Sequence, residues 1–314
     1  MNVTRGLAGY TRKPHPVLTI GNFDGQHLGH RALLQEVVSA ARLVGGTPLV
    51  LTFDPHPVKV LVPQAELRFL TSPEEKLARF REAGVAEVIF LEFTPDLAAL
   101  APGDFVRDIL VTRVGVREVF VGEHFRFGKG RSGRFADLAQ AGREQGFVVH
   151  PFQPIRVEGD VVSSTRIRTL LQSGDVRQAG QCLGRAYGLA GRVIPGVQRG
   201  QTLGWPTANL RLPAERVIPA DGVYATRTVA GGESFESVSY IGTRPTFGSG
   251  ERLIEAYLLD TQRDLYGQDI LVEFVDRLRG DEAFRSADEL AERIGFDVRR
   301  AREILRLGPA PLPT

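Results

Sequence analysis

The chain has little of several things, and each shortage narrows its class. Cys182 is the single cysteine among 314 residues, so an intrachain disulfide framework and a cysteine-based zinc site are both excluded. Positive and negative side chains nearly cancel, leaving a formal net charge of +2. So mild a balance does not point to nucleic acid, and no concentrated basic stripe with stacking aromatics is present. Residues Met1 to Arg12 lack the apolar centre of a secretory leader, and no apolar run is long enough to span a bilayer. The expectation is a cytoplasmic protein with small-molecule partners and neither a membrane nor a nucleic-acid partner; oligomeric state is left open. Internal repeats and low-complexity stretches are also missing. What remains, 42% hydrophobic and 24% charged residues, is ordinary for a globular chain. The length favours two domains, each large enough to bury a core.

The most informative string is Gly21-Asn22-Phe23-Asp24-Gly25-Gln26-His27-Leu28-Gly29-His30. It follows the apolar run Val17 to Ile20, which reads as a short buried strand, and precedes a helix over Arg31 to Val44. The histidines therefore fall at a strand-to-helix turn, where free backbone N–H groups and the helix dipole attract anions. Positions three apart share a helical face, so both imidazoles can meet one ligand. Gly29 has no side chain to hold a phosphate off the backbone. The arrangement suits a group that holds a triphosphate while its α-phosphorus is attacked. A pair of solvated histidines, or a stray metal pair, is the plainer alternative.

Two halves differ in grain. From Val17 to about Leu183 strand-like and helix-like stretches alternate: Pro48 to Phe53, Glu87 to Leu91 and Glu118 to Val121 are strand-like. Ser72-Pro73-Glu74-Glu75 opens a helix with a capping box, and Gly84 closes it. Such alternation predicts a parallel sheet covered by helices, with ligands beyond the carboxyl ends of the strands. Beyond Gly184, glycines and prolines punctuate short β-rich runs at Ala186–Val193, 222–229, 238–241, 253–259 and 269–275. These suggest an antiparallel barrel or sandwich. A helical tail follows, with Ser286 and Glu289 forming another capping box. The boundary falls near residues 180–186, dividing the chain into 1–183 and 184–314.

Three further strings belong with the first. Thr52-Phe53-Asp54-Pro55-His56-Pro57 ends a strand in a rigid, largely extended loop with few donors, or in an ordinary strand exit. Val121 to Gly133 is a basic, glycine-rich loop carrying Phe125 and Phe127. Its spacing is wrong for a P-loop, and Gly130 stands where a Walker motif needs Ser or Thr. A flexible lid over a nucleotide fits it, as does a solvated turn. Ser163-Ser164-Thr165-Arg166-Ile167-Arg168 places cations in a helix's first turn, at a cost of up to ~1 kcal/mol each unless an anion is bound. A basic solvated face is the alternative.

Together these strings resemble the bifunctional prokaryotic riboflavin kinase/FAD synthetases, and the resemblance covers nearly the whole chain. It implies a nucleotidyltransferase-type α/β domain that joins FMN to the AMP part of ATP, followed by an antiparallel β-barrel riboflavin kinase domain with a C-terminal helix. His27 and His30 would hydrogen-bond the ATP phosphates, with Gly21, Phe23, Asp24, Gly29, Ser163, Ser164 and Thr165 in the ATP site. Arg166, with Arg168, would clamp the β- and γ-phosphates, and magnesium would screen them. Pro55, Pro57, Phe125 and Phe127 would help form the nucleotide and flavin pockets.

The second half carries Thr202-Leu203-Gly204-Trp205-Pro206-Thr207-Ala208-Asn209. In an extended segment Thr207 and Asn209 point to one face, and their hard oxygens suit magnesium beside a nucleotide phosphate. A polar turn after Pro206 is the plainer reading. The string resembles the family's Pro-Thr-Ala-Asn motif, which contributes to magnesium-ATP binding; Gly196 and Gly200 would let backbone approach phosphates. Glu255 alternates with Leu253 and Tyr257 on what reads as an inward face, where a carboxylate needs partners or a task. It aligns with the family's catalytic glutamate; a solvent-facing glutamate is the alternative. Tyr266, Arg279 and Phe284 lie in segments resembling those that shape the family's flavin pocket, and Tyr266 and Phe284 would otherwise read as core. Three positions depart from the family pattern: His124 for Asn or Asp, Gln201 for Arg, and Tyr240 for Asn. They bear on affinities and rates more than on reaction type. One active half alone, or a flavin-binding or storage protein without turnover, are the competing functions.

Overall fold

The computed structural model describes residues 1–195, 205–211, 214–243, 252–261 and 263–307. They form two compact units, Met1–Val162 and Ser163–Thr314.

The first unit is built on six parallel strands: β1 (Asn2–Arg5), β2 (Pro16–Ile20), β3 (Thr47–Asp54), β4 (Glu87–Glu92), β5 (Glu118–Gly122) and β6 (Val148–Phe152), in the order β1-β4-β3-β2-β5-β6. All five residues of β2 are buried, as expected where helices cover both faces. Side chains alternate between two cores. Leu18, Leu49, Leu51, Ile89 and Val119 meet Phe105, Leu110 and Val114 of a wide π-type helix, Phe105–Val114. Val17, Val50, Val88 and Phe120 meet Leu34, Val37 and Ala41 of α1 (Leu28–Leu43) and Phe80 of α2 (Pro73–Glu82). Helix α3 (Phe135–Gln145) adds Leu138 to the first core. The capping box expected at Ser72 and Glu75 is present in both directions. Helix α1 starts three residues earlier than expected, because His27 itself caps it. The strand order turns back between β2 and β5. At such a switch point the loops leaving the two strands diverge and open a crevice.

The second unit opens with α4 (Ser164–Ser173) and α5 (Val176–Leu183), and α5 packs on the barrel strands β7 and β12. Compactness thus divides the chain two helices before the 183/184 boundary drawn from sequence grain. A closed antiparallel barrel follows: β7 (Tyr187–Ile194), β8 (Ala208–Arg211), β9 (Gly222–Ala230), β10 (Glu233–Thr243), β11 (Arg252–Leu258) and β12 (Asp269–Arg279), ordered β7-β8-β11-β10-β9-β12. Gly231 and Gly232, both at positive φ, make the two-residue turn that joins β9 to β10. Inside the barrel Thr226, Thr228, Ser237 and Ser239 bond one another at 2.8 Å, so these buried hydroxyls are satisfied. The C-terminal helix α6 (Ala287–Arg306) lays Val298, Ala301 and Leu305 against Val223, Ala225 and Val238 of the wall. Ser286 caps it, while Glu289 takes the N–H of Arg285 rather than that of Ser286.

Candidate functional sites

A pocket of about 280 Å³ opens at the switch point of the first unit. Gly21, Phe23, His27, Gly29 and His30 line it from the β2 side, and Gly122, Glu123, His124 and Phe125 from the β5 side. The two imidazoles stack, with ring centroids 3.8 Å apart. His27 Nδ1 accepts the backbone N–H of His30 at 3.3 Å, which assigns the ring proton to Nε2. Burial pushes the His30 pKa well down, with the His27 and Lys76 charges adding to the effect. Its Nδ1 is buried with no protein partner. His30 therefore resists a proton, and His27 presents only Nε2 outward, so the pair can offer directed hydrogen bonds.

The rest of the motif holds this pair in place. Asp24 is 2% exposed, and its carboxylate accepts the backbone N–H groups of Leu70 and Thr71 and the Thr71 hydroxyl. It faces the interior instead of the pocket. Gly25 sits at φ +82°, and a Cβ there would lie 2.7 Å from Leu70 Cδ1, so the tight approach of loop to segment needs glycine. Phe23 is buried with its ring 5.0 Å from that of His30. Lys76, on the first turn of α2, donates from Nζ to the Asn22 carbonyl at 2.9 Å. Sequence reasoning passed over it. A cation in a helix's first turn, the argument applied to Arg166 and Arg168, was the available signal.

Other expected residues are distributed as follows. Pro55 and Pro57 lie after β3, flanking His56, whose Nδ1 caps the short helix Pro57–Leu61 at Val58 N; none of the three lines the pocket. Phe125 is half-buried at the pocket wall, whereas Phe127 is core, stacked on Phe125 and packed on Phe105. The Val121–Gly133 loop is anchored at its base: Arg126–Phe127 pairs with Gly133–Arg134, and Gly128 lies against Pro102. In the second unit Ser163 caps α4 at Arg166 N, with Ser164 and Thr165 in the first turn. The Arg166 guanidinium reaches Gln178 Oε1 at 3.4 Å, and Arg168 is half-buried on the same helix.

The barrel brings a second set together. Strand register places Asn209, Glu255, Tyr240, Val223 and Arg279 in one row across five strands; directly paired residues share a face. Thr207 Oγ1 lies 3.5 Å from Glu255 Oε2. Asn209 is 3% exposed, and its Oδ1 is buried without a hydrogen-bond partner. Tyr240 donates to Asp281 at 3.1 Å, and burial, reinforced by Asp281, pushes its pKa up to about 12. Arg279 stacks its guanidinium 5.5 Å from the Phe284 centroid and pairs with the buried Asp297 of α6 at 2.9 Å. Burial raises the Asp297 pKa, and Arg279 opposes the rise. Asp297, too, was missed, although a charge on the Ile294–Val298–Ala301–Leu305 stripe marks it. Tyr266 is exposed, which removes its alternative reading as core, and Phe284 is half-buried. Gly196, Gly200 and Gln201 lie outside the described residues.

Comparison with known proteins gives a consistent result. The FAD synthetase family model matches residues 11–166, and the riboflavin kinase model matches residues 183–305. The bifunctional riboflavin kinase/FMN adenylyltransferase of Escherichia coli K12 is 38% identical over 98% of this chain and 99% of its own. That of Pseudomonas fluorescens is 39% identical over 97% and 98%. A crystal structure described as a macrolide-efflux protein from Streptococcus pneumoniae superimposes with a TM-score of 0.86 at 28% identity, covering 96% of this chain and 98% of its own. Among the described residues of the present chain, no helix is long and apolar enough to cross a membrane. Parallel sheet, switch-point pocket and separate barrel, with these matches, define a two-domain transferase acting on flavin and nucleotide. The chain belongs to the bifunctional riboflavin kinase/FMN adenylyltransferase family.

Proposed function

We propose that residues 184–314 phosphorylate riboflavin to FMN and that residues 1–183 adenylylate FMN to FAD, both from ATP and in the cytoplasm. The stacked imidazole pair facing a switch-point pocket carries the second assignment. An FMN phosphate oxygen attacks the α-phosphorus of ATP, the new P–O bond replaces the bond to the β-phosphate bridge, and pyrophosphate leaves. The nucleophile is already an anion, so no base is needed; alignment and charge stabilisation are. His27 Nε2–H and His30 donate to phosphate oxygens as charge gathers there. Gly21, Phe23 and Gly29 shape the ATP site, and Asp24 supports it from behind. Ser163 to Thr165 present the first turn of α4, and Arg166 with Arg168 supplies positive charge to the β- and γ-phosphates. Pro55, Pro57 and Phe125 contribute to the flavin and nucleotide walls.

In the barrel the riboflavin 5′-hydroxyl attacks the γ-phosphorus, its proton passes to Glu255, and ADP leaves. The alcohol is a poor nucleophile, which makes a neighbouring carboxylate useful. Magnesium fits beside it: the unpartnered, buried Asn209 Oδ1 and the Thr207 hydroxyl are hard oxygens on alternate positions of an extended segment. Those two residues would hold the ion, which supplies charge neutralisation to the ATP phosphates. Arg279, Phe284 and Tyr266 would border the flavin, and Gly196 and Gly200 the nucleotide.

One time course tests the whole reading. The protein is incubated with riboflavin, ATP and magnesium, and the flavins are resolved. FMN followed by FAD is expected. A stall at FMN reduces the activity to the kinase. FAD from supplied FMN, but none from riboflavin, reduces it to the synthetase. Bound flavin without turnover makes the protein a carrier.

A further inference from the structure

The motif loop Asn22–Gln26 is tied to one neighbouring segment, residues 70–76. Asp24 and Gly25 bond to Leu70 and Thr71. Gln26 Nε2 donates to the Lys76 carbonyl at 2.8 Å, while Lys76 Nζ donates to the Asn22 carbonyl at 2.9 Å. Lys76 thus grips both ends of the loop, one with its backbone and one with its side chain. An ammonium has three donors, and among the described residues this one makes a single hydrogen bond and no ion pair. Asp24, one of the nearest carboxylates, is already engaged with the backbone at 70 and 71. The result is a half-buried cation on α2, bonded to the loop that leads into the histidine pair.

We propose that Lys76 is a positioning residue of the adenylyl-transfer site, holding the Asn22–Gln26 loop and through it the His27–His30 pair that follows. The inference rests on the adenylyl-transfer reading of this pocket and deepens it. The groups around His30 are consistent with it: His27 stacks on one face, Phe23 lies at 5.0 Å, and the Lys76 charge disfavours protonation. Lys76 in turn is lowered by burial, with Asp24 and Asp54 opposing. Helix α2 is the right kind of element for this task, because its reciprocal capping box and N-terminal proline fix its first turn.

The test uses the full chain carrying Lys76→Gln, Lys76→Met or Lys76→Arg. FAD formation from supplied FMN is followed against pH, and FMN formation from riboflavin reports the second site in the same preparations. Gln keeps a donor for the Asn22 carbonyl without the charge, and Met keeps neither. We expect kcat for FAD formation to fall about tenfold or more in the Gln and Met variants, with KM for FMN changed far less and kinase activity unchanged. The acid limb of the profile should move to higher pH in both, because His30 then protonates more readily. Lys76→Arg should restore the limb to its original place. FAD formation by Lys76→Gln at the native rate, with an unmoved acid limb, overturns the proposal even if Lys76→Met fails to fold. Wild-type protein that makes no FAD defeats the reading of the pocket instead.

Discussion

At the scale of single residues, the site works by fixing protons. His27 accepts at Nδ1, so only Nε2 can donate outward, and His30 resists protonation. Replacing His27 with Ala removes a donor and a helix cap together. FAD formation from supplied FMN should fall on the order of a hundredfold or more, while FMN formation from riboflavin persists. His30 also links stability to pH. The unfolded chain takes up a proton near pH 6.5 that folded His30 resists, so more protons are bound unfolded than folded below that point. Stability is therefore full above about pH 6.5 and is lost as pH falls toward the lowered folded pKa. Denaturant midpoints at pH 7.5 and 5.5 should differ more for wild type than for His30→Gln; equal differences would exclude His30 as a source. Asp24→Asn turns an amide toward N–H groups that now meet a carboxylate. About 1–3 kcal/mol of stability should be lost, measured as a lower unfolding midpoint.

At the scale of elements, register does what residue identity cannot. Asn209, Glu255, Tyr240 and Arg279 fall in one row only because β8, β11, β10, β9 and β12 pair in one alignment. Tyr240 stands between Glu255 and Asp281, and its phenol, its pKa pushed up to about 12, stays protonated. Tyr240→Phe frees Asp281 and should raise the KM for riboflavin a few-fold, with FAD formation from FMN unchanged; an unaltered KM would show that Tyr240 has no bearing on riboflavin binding. Strands were readable where apolar residues alternate, as at Leu253 to Leu259, and capping boxes announced α2. The start of α1 was not, since histidine is outside the usual capping set. Register, and with it the Glu255–Tyr240 and Arg279–Asp297 contacts, depends on pairings far apart in sequence. Phe127 read as a ligand residue and proved to be core, because nothing local distinguishes an aromatic beside a pocket from one beneath it.

At the scale of the whole molecule, each half carries its own sheet, its own core and its own set of polar residues. The two reactions also differ in need: one nucleophile arrives as an anion, and the other must lose a proton. Two chemistries with different key residues imply that each activity can be removed alone. Glu255→Gln keeps the shape of the residue and removes the proton acceptor. FMN formation should fall about a hundredfold or more, with FAD formation from supplied FMN intact. The most direct measurement sets His27→Ala and Glu255→Gln side by side with wild type, each given riboflavin or FMN with ATP and magnesium. The account predicts that His27→Ala halts at FMN and that Glu255→Gln makes FAD only when FMN is supplied. Loss of both activities in either folded variant would contradict it.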